Sequence, residues 1–111
     1  MKIKLKNFFK SAILVSPEKA LTIYSEIADT LKSKKEVTLD FEGIKATTLV
    51  FLFVLFTRLW KEFGKELKNK LSIKNASESL LKEIIYLEKN YKKLHDTFHG
   101  VHNNFQLAYL Q

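Results

Sequence analysis

The chain has 111 residues, enough for one domain and too few for two. With 46% apolar and 13% aromatic residues it has the composition of a folded chain, and the absence of cysteine excludes both a disulfide framework and a thiolate zinc site. The net charge of +7 comes from 19 basic residues, all lysine except Arg58; lysine lacks the planar fork with which arginine reads bases, so the charge points first to solubility.

Ile3 and Leu5 alternate with Lys2, Lys4 and Lys6, which predicts a strand over residues 2–6. The short apolar run over 12–15 predicts a second strand, paired with the first through the intervening turn. Ser16 and Pro17 announce a helix, because serine caps N-termini and proline suits the first helical position. Ala20, Leu21, Tyr24, Ile27, Ala28 and Leu31 give that helix one apolar face. Residues 36–42 then alternate again, with Val37, Leu39 and Phe41 opposite Thr38, Asp40 and Glu42, the best strand in the chain. Gly43 permits a sharp exit, and Thr47 or Thr48 can cap the next helix, residues 49–63, which is apolar around most of its circumference. That apolar segment is too short for a bilayer, which needs about 20 such residues, and it is interrupted by Arg58, so it reads as a buried helix.

Gly64 closes the helix, and residues 70–74 predict a short strand with Leu71 and Ile73 inward. Asn75 with Glu78 reads as a capping box opening a last helix, with a stripe through Leu80, Leu81, Ile84, Leu87, Tyr91, Leu94 and Phe98, and Gly100 at its end. The tail carries Phe105, Leu107, Tyr109 and Leu110, apolar surface that calls for a docked segment, or for a homodimer that covers it. The order of elements implies a small, mostly parallel or mixed sheet of three to five strands, with about three helices mainly on one face. The expected organisation is a single domain over 1–111, with 100–111 as the docked tail. Without a signal-peptide pattern at the basic N-terminus, the expected compartment is the cytoplasm.

Residues 37–63 read VTLDFEGIKATTLVFLFVLFTRLWKEF, and LSIKNASESL follows after a basic link. This resembles the STAS domain of sulfate transporters and anti-sigma-factor antagonists, and more closely the short STAS-like domains of bacterial and phage genomes. The resemblance implies a non-catalytic regulatory module, a protein partner such as a kinase-like ATPase regulator, and a contact at the turn and helix start after the central strand. The residues that fall there are Gly43, Lys45, Thr47 and Thr48, with Thr48 as the candidate phosphoacceptor. From the residues alone, Thr48 is a helix cap.

Three other groupings carry weaker chemistry. His95, His99 and His102 beside Asp96 lack a fixed third ligand and shell, so no metal and no cofactor is expected. Asp40 and Glu42 share a strand face, but no nucleophile, base pair or phosphate loop accompanies them; they read as solvated or loop-capping carboxylates, and no enzyme activity is expected. Lys61, Lys65, Lys68, Lys70 and Lys74, with Lys82, Lys89, Lys92 and Lys93, interleave with Glu62, Glu66, Glu78, Glu83 and Glu88 as on a solvated helix surface. They also define the alternative function, a phage-encoded or nucleic-acid-associated factor, for example an inhibitor of a host nucleoprotein.

Overall fold

The computed structural model describes the backbone of residues 1–101 and the side chains of residues 1–93. In chain order it contains β1 (Lys2–Lys4), α1 (Leu5–Phe9), β2 (Ile13–Leu14), α2 (Pro17–Lys32), β3 (Val37–Asp40), β4 (Ala46–Thr47) and α3 (Leu49–Phe63). A 3₁₀ turn (Gly64–Glu66), α4 (Leu67–Lys70), β5 (Leu71–Lys74) and α5 (Glu78–Val101) follow.

Successive side chains of a strand point to opposite faces, so the register of the sheet fixes the chemistry of each face. The sheet has the order β1-β3-β5 and is parallel throughout, with Ile3, Leu39 and Ile73 in one row and Lys4, Asp40 and Lys74 in the next. The first row belongs to the core, together with Val37, whereas Lys4 and Lys74 are exposed. The domain is therefore α/β with its main helices on one face, and β3 is the central strand.

Helix α3 fills that core because nearly every position of its first ten is apolar. Phe51, Leu52, Phe53, Val54, Leu55, Phe56 and Leu59 are all buried, and α3 packs against both α2 and α5. Helix α2 starts as its sequence dictates, with the Lys19 N–H donating to Ser16 Oγ at 3.4 Å and Pro17 at the first position. Its buried stripe is Ala20, Ile23, Ile27, Ala28 and Leu31, turned slightly from the expected one, so Leu21 and Tyr24 lie half-buried at the margin. At that margin the Tyr24 hydroxyl donates to Glu62 Oε1 at 2.6 Å and clasps α2 to α3. Burial first and the Glu62 carboxylate second push the Tyr24 pKa up to about 12.

Three expectations are corrected. The first two strands do not form a hairpin: residues 5–9 coil into α1, Lys10 turns with φ 54°, and β2 pairs parallel with β4 in a separate two-stranded sheet. Leu5, expected on the inward face of a strand, is fully buried from α1 instead, and Phe9 sets its ring edge-on to Phe51. Asn75 is not the cap of α5, since the Leu80 N–H donates to Ser77 Oγ at 3.1 Å while Asn75 takes a left-handed φ of 58°. The expected docked tail with Phe105, Leu107, Tyr109 and Leu110 lies outside the described residues.

Candidate functional site

The site begins where β3 ends. Asp40 is fully buried at the last position of that strand, and its Oδ1 accepts from the Glu42 N–H and from Asn75 Nδ2, both at 2.9 Å. Its Oδ2 lies 3.4 Å from the Lys2 ammonium. The Asn75 amide, then the Glu42 N–H and the Lys2 ammonium outweigh burial and hold the carboxyl below its ordinary value of 3.8. Asp40 is thus a loop-capping carboxylate, as expected, but a buried rather than a solvated one. A carboxylate kept ionised in this way is poorly matched to proton transfer near neutral pH, which wants a pKa close to the working pH. Glu42, by contrast, is exposed.

Beyond Asp40 the chain reverses. The Ile44 N–H donates to the Phe41 carbonyl at 3.0 Å, and Gly43 stands third in this turn with φ 79°, where a type II turn demands positive φ. A β-carbon at Gly43 would also come within 2.7 Å of Lys6 Cδ, so the turn rests against the Lys6 side chain in the first turn of α1. From here the chain runs beside β2: the Lys45 N–H donates to the Ala12 carbonyl at 2.7 Å, and the Thr48 N–H donates to the Leu14 carbonyl at 3.0 Å. Lys45 is exposed, and Thr47 and Thr48 are half-buried.

Thr48 uses its hydroxyl twice. It accepts from the Phe51 N–H at 3.1 Å, which caps α3, and it donates to the Val15 carbonyl at 3.3 Å, which ties the cap to the residue after β2. The cap read from the residues is present, and the added bond couples it to a second element. Around this point three large apolar side chains stand open: Ile13 is 52% exposed, Val15 49% and Leu49 39%. Their exposure is not legible in the sequence, because the run 12–15 is continuously apolar and Leu49 opens an apolar helix. Only the alternation of Ile13 and Val15 about the buried Leu14 hinted at two open positions.

A family model, the STAS-like domain of unknown function (DUF4325), matches residues 20–81, more than half of the chain. The chain belongs to this STAS-like family. No curated protein and no solved structure matches it. The matched part of the STAS-like domain runs from α2 into the start of α5 and includes Gly43, Lys45, Thr47 and Thr48, which the fold gathers at one corner.

Elsewhere on the STAS-like domain, Lys82 pairs with Glu78 and Lys68 with Glu88, in line with a lysine surface interleaved with acids. Among the described residues no helix is long and apolar enough to cross a membrane, and no group of three His, Asp or Glu could hold a metal ion. The side chains of His95, His99 and His102 lie outside the described residues.

Proposed function

We propose that this STAS-like domain is a non-catalytic regulatory module that binds a partner protein through the turn and helix start after β3. Gly43, Lys45, Thr47 and Thr48 form the polar part of the contact. The observation that supports the reading most is the trio of exposed apolar side chains beside them, Ile13, Val15 and Leu49. Covering a fully exposed side chain of this kind is worth about 1.5–3 kcal/mol, so three half-exposed ones supply a serviceable anchor, and the exposed Lys45 adds a cation at the rim. The partner class that the STAS resemblance implies is a kinase-like ATPase regulator.

Thr48 suits a switch as well as a cap. A phosphate on its Oγ would meet free N–H groups and the positive end of the α3 dipole, so the helix would tolerate it. The same modification would remove the hydroxyl donation to the Val15 carbonyl, so the cap and the apolar rim would change together.

The test takes a partner identified by recovery with the tagged domain from its native cell, and measures affinity alongside melting temperature. Leu49→Asp and Thr48→Glu are expected to weaken binding by tenfold or more, about 1.4 kcal/mol, while the fold melts close to the wild-type temperature. Unchanged affinity in both variants would place the contact elsewhere. An interaction that travels with nucleic acid and collapses with added salt would favour the lysine surface instead.

A further inference from the structure

An apolar trough of about 200 Å³ lies between α3, β5 and α5, lined among others by Phe56, Trp60, Leu71, Ile73, Ile84 and Ile85. Its floor is incomplete. Leu71 and Ile73 carry the inward pattern of β5 yet are only half-buried, and Ile85 on the facing flank of α5 is 50% exposed. The reason is the sheet order: β5 is an edge strand, paired among the described residues with β3 alone. A trough with an open strand edge on one wall and an apolar helix on the other accepts an extended segment, whose backbone bonds the edge while alternate side chains drop into the trough.

We propose that the occupant is the C-terminal segment of this same chain, with residues 107–110 adding to β5 as a fourth parallel strand. The sequence there is NNFQLAYLQ over 103–111, free of charge and with Phe105, Leu107 and Tyr109 alternating with Gln106 and Ala108, the period of a strand buried on one face. The reach agrees. Glu88 lies 3.9 Å from Lys68, so α5, running opposite to β5, comes level with the start of β5 near residue 88. Val101, the last described residue of the helix, lies 13 residues later, about 20 Å further on at 1.5 Å per residue. An extended chain recovers that distance in about six residues at roughly 3.3 Å each. Residue 107 then stands level with Leu71, 108 with Ser72 and 109 with Ile73. Leu107 and Tyr109 fall on the trough side with Leu71 and Ile73, and Ala108 falls with Ser72 on the polar side. A segment doubling back along α5 runs parallel to β5, in keeping with the rest of the sheet.

The cysteine-free chain makes a clean test. In the full-length protein the pair Ser72→Cys and Ala108→Cys, on adjacent strands about 4.8 Å apart, is within disulfide reach. Mild oxidation at low micromolar concentration should give an intramolecular disulfide, and the control pair Ser25→Cys and Ala108→Cys should give none. Trp60, the only tryptophan, lines the trough and reports independently. Leu107→Ser with Tyr109→Ser should move its emission to longer wavelength and raise its quenching by acrylamide. Absence of the intramolecular disulfide overturns the proposal, as does a disulfide formed only between chains, which would assign the trough to a second copy. Trp60 emission indifferent to the serine pair overturns it as well.

Discussion

The three-stranded sheet buries Ile3, Val37 and Leu39 against helices, whereas the two-stranded sheet buries Leu14 and leaves Ile13 and the neighbouring Val15 open. The first has a four-residue central strand with a neighbour on each side, and the second has two residues per strand. A two-stranded sheet by itself is at best marginal in water. This one persists because the fully buried Leu14 plugs it into the core and Thr48 bonds it to the head of α3. Stability and presentation are divided between the two: the large sheet holds the fold, and the small one holds a surface in place.

The sharpest way to break that division is Leu39→Asp. An unpaired charge on the buried face of β3 should cost several kcal/mol, on the order of the whole stability of a domain, and abolish a cooperative urea transition. A variant that melts like the wild type would mean that β3 is not the keystone. Acid should act on the same sheet through Asp40. Its carboxyl is held below 3.8, so its contribution is present above that value and is lost as the pH falls through the still lower pKa of the folded state. Thermal melts from neutral pH downward should show wild type losing stability more steeply than Asp40→Asn below about pH 4.

At the junction of the two sheets, Thr48→Ala should cost about 1 kcal/mol in urea unfolding, and Thr48→Asp, which keeps a capping oxygen, much less. The smallest effect belongs to the small sheet. Ile13→Thr changes an exposed side chain and should stay within about 0.5 kcal/mol of wild type, and a cost near 2 kcal/mol would move Ile13 into the structural core.

The elements most legible in the sequence were those whose signals are local. Ser16 before Pro17, Thr48 before an apolar run and Gly64 with φ 58° mark helix ends by their own backbone chemistry, and the alternation from Val37 identified the central strand. What stayed hidden depends on contacts distant in sequence. Strand β4 is two residues long, too short for any periodicity, and exists only because the chain after Gly43 runs beside β2. Asp40 lies on the polar face by alternation, and its burial is accompanied by contacts with Lys2, far upstream, and with Asn75, 35 positions downstream. Asn75 and Ser77 are both good cap residue types; Ser77 takes the role because it directly precedes Glu78, the first helical residue, while Asn75 turns at a left-handed φ and donates its amide to Asp40. At the candidate site the turn and the cap were readable, but the apolar rim was not, since exposure of Ile13 and Leu49 is decided by what fails to pack on them.

Among the described residues strand pairing is entirely non-local: Lys2 is in register with Thr38, Ile13 with Ala46 and Val37 with Leu71. None of these pairs is a hairpin that could form early and template the rest, so long loops must close before these strand contacts reward it, which makes folding slower than in a helical or hairpin-rich domain of this size. During synthesis the first strand leaves the ribosome well before its partner exists. It waits as KIK, with Lys2 and Lys4 on either side of Ile3, and charges placed in this way keep an unpaired edge from joining another chain until β3 arrives.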